Sequence, residues 1–192
     1  MKRIWMAMIA ALIAVPAFAA ELGDDGLHKA DWMRDTFKDL REDLGEANAE
    51  GKRLALMIEQ RGCIYCDKMH REVYSREELA DYIRENFFIV QLNLHGDTEV
   101  TDFDGEVLSE KAAARKWGLL FTPSILFLPE EVGDDQTAQS AAVAVMPGAF
   151  GVGTTTDMFT WVNEKRYALD SDEDFQRYHA RRIQERQDGS TD

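Results

Sequence analysis

The only two cysteines of the chain stand at positions 63 and 66, in Arg61-Gly62-Cys63-Ile64-Tyr65-Cys66. They follow the apolar run Leu54-Ala55-Leu56-Met57-Ile58 and precede a segment rich in helix formers. The spacing makes a dithiol redox centre the leading expectation. The thiolate is the attacking species in thiol-disulfide exchange, and a cysteine at a helix N-terminus has its thiolate favoured by unpaired N–H groups and the helix dipole. Cys63 occupies that end. Cys66, one helical turn later and partly covered, is placed to resolve a mixed disulfide on Cys63, because attack by a neighbouring thiol needs no second collision.

Other chemistry has less support. Cys63, Cys66 and His70 have soft-metal ligand character, but a structural zinc site needs four ligands and no further cysteine exists. His95, beside Gly96 and Asp97, reads as a loop residue. A purely structural bridge over so short a loop would restrict the unfolded chain little. No metal or organic cofactor is required beyond the redox-active pair itself.

The elements that position the pair can be read from periodicity. Met33, Phe37, Leu40, Leu44 and Ala47 recur at helical spacing, so a helix is expected over Asp31 to Glu50, stopped by Gly51. Leu54 to Ile58 has the continuous apolar character of a central strand buried on both faces, and in open α/β sheets ligand chemistry gathers at the carboxyl ends of strands. After the cysteines a helical stretch runs to about residue 74, and Ser75 with Glu78 resembles a capping box opening a second stretch to about Asn86. Phe87 to Leu94 is strand-like and should pair beside the strand from Leu54. A polar stretch around Asp104-Gly105 suits a small hairpin or bulged loop, after which Ser109 caps a helix ending near Trp117-Gly118. Strands are expected at Ile125 to Leu128 and at Ala141 to Met146, then helices at about Thr156 to Tyr167 and Asp172 to Glu185, the last opened by Ser171 with Asp174 as the acidic partner. Fraying is expected from Arg186 onward. Such an order builds an α/β sandwich on a mixed sheet.

Lys2 and Arg3, an apolar stretch from Ile4 to Val15, and Ala17-Phe18-Ala19 form an export-signal pattern, with cleavage expected after Ala19. The expected division is a signal peptide at 1–19, a single domain over 20–188 with its core at about 54–167, and a frayed tail at 189–192. Of 192 residues, 173 would remain, carrying −16 once two positive charges are taken from the net −14. Such a surface repels phosphate backbones and anionic head groups, which argues against nucleic-acid and membrane-surface roles. Export places the cysteines where disulfides persist.

The chain resembles the thioredoxin superfamily over roughly Leu54 to Tyr167. Cys63-Ile64-Tyr65-Cys66 matches the redox motif in position, and Thr122-Pro123, just before a later strand, matches the cis-proline element. The resemblance implies a thioredoxin fold, which the N- and C-terminal helices expected here exceed, and a thiol-disulfide oxidoreductase in which Thr122 and Pro123 bind substrate; Ile64 and Tyr65, between the cysteines, are further candidate substrate-binding residues. The stretch from Met57 to Val73 is most similar to exported thioredoxins of the SoxW type. That likeness implies a periplasmic reductant acting on disulfide-bearing proteins, with a membrane thiol-disulfide transporter as electron donor. A thiol oxidase or isomerase of the same fold, or a binding protein with a structural disulfide, are the alternatives.

The motif departs from cytosolic thioredoxin. Gly62 replaces the Trp before the first cysteine, and Ile64-Tyr65 replaces Gly-Pro. Met57 stands where thioredoxins bury a proton-transferring aspartate, so that role does not carry over. Glu59, two residues along the same strand and so on the same face, could accept the proton of Cys66, or could be an ordinary strand-end carboxylate in water. Lys68 could favour the Cys63 thiolate or simply be solvated. Tyr65 could offer its hydroxyl or ring to the dithiol or to substrate, or be a partly exposed helix-start aromatic.

Overall fold

A computed structural model describes residues 21–169 and 173–189. The expected signal peptide and the last residues of the expected tail lie outside these, as does Ser171.

The described residues open with a hairpin of β1 (Glu21–Leu22) and β2 (His28–Lys29), then β3 (Met33–Arg34), α1 (Leu40–Ala49), β4 (Arg53–Glu59), α2 (Ile64–Glu72), α3 (Glu77–Asn86) and β5 (Phe87–Asn93). A second hairpin, β6 (Glu99–Thr101) and β7 (Val107–Ser109), turns at Asp104-Gly105 and leads into α4 (Glu110–Lys116). The remainder is β8 (Ser124–Phe127), α5 (Ala138–Ala141), β9 (Ala144–Pro147), α6 (Val152–Asn163), a short 3-10 turn and α7 (Phe175–Asp188).

The central sheet is mixed, in the order β3-β5-β4-β8-β9: β3, β5 and β4 are parallel, β8 is antiparallel to β4, and β9 is antiparallel to β8. β4 is flanked on both edges and buried on both faces, as its continuous apolar run requires. Its alternate residues feed two cores. Leu54, Leu56 and Ile58 join Leu40 and Leu44 of α1 and Ala113 and Trp117 of the α4 region. Ala55 and Met57 join Met69 of α2, Ile83 of α3 and Phe159 of α6, where Phe87, Phe127 and Phe159 meet edge to face. This is the thioredoxin-like sandwich, a mixed sheet between helical layers.

Several elements differ from expectation. Residues 31–39 are not helical. Met33 and Arg34 pair with Ile89 and Val90 as an edge strand, and Lys38 takes a left-handed φ of 59°. The helix starts only at Leu40, where Asp39 caps it by accepting from the N–H groups of Arg41 and Glu42. Phe37, assigned to the apolar stripe, is 96% exposed. Ser75 does not cap α3; its hydroxyl donates to the Arg71 carbonyl, and Arg76 occupies the cap without a side-chain bond. The alanine-rich segment expected as one strand from Ala141 is split. Thr137 and Ser140 form a capping box for α5, and the strand begins at Ala144. The next helix opens at Val152 and closes at Asn163, so Tyr167 lies in the 3-10 turn. Asp174 itself caps α7, which runs to Asp188 past the expected fraying point because Arg186 is anchored on Asp157.

Candidate functional site: a dithiol over a buried carboxylate

β4 delivers the chain to the site, and Gly62, at φ +73°, turns it into α2. Cys63 is the N-cap of α2, and the Cys66 N–H donates to its Sγ at 3.0 Å. Cys63 and Cys66 are joined as a disulfide with Cα atoms 5.2 Å apart. The two sulfurs differ in placement. Cys66 is 1% exposed, on the face of α2 that also buries Met69 and His70, whereas Cys63, at 7%, caps the helix N-terminus. A thiolate released at Cys63 would therefore point at the free N–H groups of the first turn.

The Thr122-Pro123 peptide is cis and lies against the disulfide. The Thr122 hydroxyl donates to Cys63 Sγ at 3.3 Å, and the Thr122 carbonyl oxygen stands 3.6 Å from the same sulfur. Pro123 is buried while Thr122 is half-buried. Around this junction four large apolar side chains face solvent: Ile64 and Tyr65 between the cysteines, and Leu120 and Phe121 before Thr122. Tyr65 is 58% exposed. Leu120 and Phe121 were not singled out from sequence; their apolar character in a segment next to a Thr-Pro was the available signal.

Glu59 is fully buried, not a strand-end carboxylate in water. It shares its face of β4 with Ala55 and Met57, the face covered by α2. Its Oε1 is 2.9 Å from His70 Nε2, and its Oε2 accepts from Gln91 Nε2 at 2.7 Å. His70 follows Cys66 by one turn on the buried face of α2, so the imidazole and the carboxylate lie in the layer that Cys66 enters. His70 was considered from sequence only as a metal ligand; here one ring nitrogen is engaged by Glu59. His28 stacks on His70 at 4.8 Å, Tyr74 meets it edge-on at 5.3 Å, and Trp32 lies parallel at 6.5 Å. Burial holds the His28 imidazole below its ordinary pKa, reinforced by His70 and opposed by the charges of Glu59 and Asp67. Burial likewise pushes the Tyr74 phenol up, with the Glu59 charge adding to it. Gln91 and His28 had no sequence signal beyond being polar residues in or near strands.

Lys68 is not part of this assembly. Its side chain is 58% exposed and 3.9 Å from Glu72. His95 is on the surface, hydrogen-bonded to Gln60. Among the described residues no group of His, Cys, Asp and Glu has the form of a metal site, and no helix is long and apolar enough to cross a membrane.

The family model for the thioredoxin-like domain matches residues 40–138, just over half of the chain, and spans the dithiol, Glu59, His70 and Thr122-Pro123. The chain belongs to the thioredoxin-like domain family. Among solved structures it is similar to a thioredoxin-fold protein from Helicobacter pylori, at 17% identity and a TM-score of 0.54, covering 85% of this chain and 93% of that one. It is also similar to a thioredoxin from Thermus thermophilus, at 18% identity and a TM-score of 0.50, covering 65% and 83%. At such identities the likeness is one of fold. No curated protein sequence matches the chain. β1, β2 and β3, and β9, α6, the 3-10 turn and α7, fall outside the matched segment.

Proposed function

We propose that this thioredoxin-like protein is an exported thiol-disulfide oxidoreductase that reduces disulfides of periplasmic proteins and is itself re-reduced by a membrane thiol-disulfide transporter. The observation that carries the reading is the placement of the disulfide: Cys63 caps α2 against Thr122, and Cys66 lies one turn further in, on the buried face of the helix. The export pattern in residues 1–19 supports the compartment.

In the reduced protein the Cys63 thiolate attacks one sulfur of a substrate disulfide. A bond forms between them, and the other substrate sulfur leaves with the electron pair and takes a proton from water. Cys66 then gives its proton to Glu59 and attacks Cys63 Sγ. The mixed disulfide breaks, and the second substrate sulfur leaves as a thiolate. The substrate has gained two electrons and the Cys63–Cys66 bond has re-formed. Ile64, Tyr65 and the Thr122-Pro123 segment line the surface on which the substrate chain lies during the exchange, with the Thr122 backbone available to it.

Insulin reduction coupled to dithiothreitol tests this. Wild type turns over, Cys63→Ser does not, and Cys66→Ser, reduced beforehand and freed of dithiothreitol, accumulates a covalent mixed disulfide with insulin. Wild-type activity with no trapped species in Cys66→Ser, or full activity in Cys63→Ser, overturns the assignment.

A further inference from the structure

The layer beneath the dithiol is completed by residues that precede the matched family segment. The turn between β1 and β2 packs on the loop leading to Cys63: Gly26 has φ +73°, and a Cβ there would stand 2.9 Å from Cγ of Arg61. The same hairpin buries Leu27 and lays His28 over His70. Lys29 Nζ donates to Gln91 Oε1 at 2.8 Å and to Asp25 Oδ2 at 2.7 Å. Gln91 Nε2 in turn donates to Glu59 Oε2 at 2.7 Å and to the His28 carbonyl at 2.8 Å. The Gln91 amide is thus fixed at both ends. A cation holds its oxygen, and its nitrogen is committed to the buried carboxylate.

We propose that the N-terminal hairpin is part of the redox machinery, with His28 and Lys29 as positioning residues that set the proton affinity of the Glu59/His70 pair. The inference rests on the reading that Glu59 accepts the proton of Cys66. As the Cys66–Cys63 bond forms and the bond from Cys63 to substrate breaks, the Cys66 proton enters the Glu59/His70 pair. The electron pair leaves on the substrate sulfur, and the proton later passes to solvent.

The surroundings suit this division of labour. His70 is faced by Glu59 from β4, by His28 and Trp32 from the N-terminal segment, and by Tyr74 beyond α2. Asp67 and Arg71 of α2 act on His28, whose Nε2 is 3.9 Å from Asp67 Oδ1. Glu59 is faced by His70 and Gln91, with the Lys29 charge behind Gln91. Two stacked imidazoles disfavour simultaneous protonation, so His28 lying over His70 favours release of the proton from the pair. Among the described residues His28 Nδ1 is buried with no hydrogen-bond partner, a polar atom that packing alone does not require. A surface cleft of about 490 Å³ lined by Lys29 and Gln91 reaches the far side of the network.

The test uses the full reduced chain and 5,5′-dithiobis(2-nitrobenzoate) in stopped flow. Attack by Cys63 releases the first thionitrobenzoate in a bimolecular phase, and attack by Cys66 on the resulting mixed disulfide releases the second in a unimolecular phase. In His28→Phe, which keeps an aromatic ring in the stack, and in Lys29→Met, whose parent side chain is 44% exposed, the unimolecular phase should slow about tenfold on its acid limb. That corresponds to a displacement of one pH unit. It should rejoin wild type at alkaline pH, with the bimolecular phase within about twofold, since Cys63 is not served by the pair. Unimolecular pH profiles that superimpose on wild type in both variants, with thermal melts showing both folded, overturn the inference. Glu59→Gln separates the two levels. If it slows the unimolecular phase while the hairpin variants do not, the hairpin role alone fails. If it too leaves the profile unchanged, the reading of Glu59 fails and this inference with it.

Discussion

Glu59 Oε1 lies 2.9 Å from His70 Nε2, with 1% and 2% of the two side chains exposed. A buried pair of this kind is costly to break from one side. His70→Leu leaves the carboxylate with Gln91 as its remaining partner and should cost about 3 kcal/mol, because desolvation of Glu59 is no longer offset. The double variant Glu59→Met/His70→Leu removes both polar groups and should recover at least half of the summed single losses. Urea unfolding of the four proteins checks this, and strictly additive losses would show that the two groups are not coupled.

Lys68 and Tyr65 divide differently from Glu59. Lys68 is solvated beside Glu72, so Lys68→Ala should leave both the reduction potential and the exchange rate within about twofold of wild type. Tyr65→Phe removes a hydroxyl on a side chain that is largely in solvent and should behave the same. Tyr65→Ser, which removes the exposed ring, should instead raise the KM for a protein disulfide several-fold, about 1 kcal/mol of apolar contact.

Asp43 gives α1 a pH-dependent stability. Burial raises its carboxyl from 3.8 to about 6, opposed by a hydrogen bond from Thr36 and reinforced by Glu46, Asp39 and Glu42. A raised carboxyl is bound to more protons in the folded than in the unfolded chain, so stability falls as pH rises from 3.8 to about 6. Asp43→Asn should therefore be about 1–3 kcal/mol more stable than wild type at pH 7 and indistinguishable from it below about pH 4, as read by denaturation at the two pH values.

Asp157 works with the opposite sign. This side chain of α6 is buried, and despite that burial the Arg186 and His179 hydrogen bonds hold its carboxyl below the ordinary value. Arg186 donates to both of its oxygens, at 2.8 and 2.9 Å, and His179 Nδ1 stands 2.6 Å from Oδ2. A depressed carboxyl stabilises the fold above 3.8 and loses that contribution as pH falls through its lower folded value. Asp157→Asn should cost about 2 kcal/mol at pH 7, with the gap closing in acid, and should speed hydrogen exchange in α7 before the sheet.

The parts of the fold that sequence made legible are those with strong local signals. β4 and β5 are runs of apolar and β-branched residues, and the redox pair sits at the strand end where a helix must start. What escaped depends on contacts distant in sequence. The periodicity of residues 31–47 fits a helix, but Met33 and Arg34 find an open edge on β5, and a β pairing so remote leaves no local trace. Alanine at 138–144 suits helix and strand alike, and the Thr137/Ser140 box decides it. Glu59 was legible as being on the right face, yet its burial depends on Gln91 and on the hairpin that covers the strand end. Asp102 carried no signal at all. It is fully enclosed and accepts from the Phe103 and Ala138 backbones, Trp117 Nε1 and Lys116, tying the β6–β7 hairpin to α4 and α5.

The most direct test of the redox reading is equilibration of the intact protein in dithiothreitol redox buffers, with free thiols counted by alkylation and mass. If Cys63–Cys66 is the working centre, both thiols appear together in one reversible two-electron transition, at a potential above the range of structural disulfides, about −300 mV. A bond that stays oxidised until below that value, or that opens only when the protein unfolds, would contradict a catalytic dithiol and leave a structural bridge in its place.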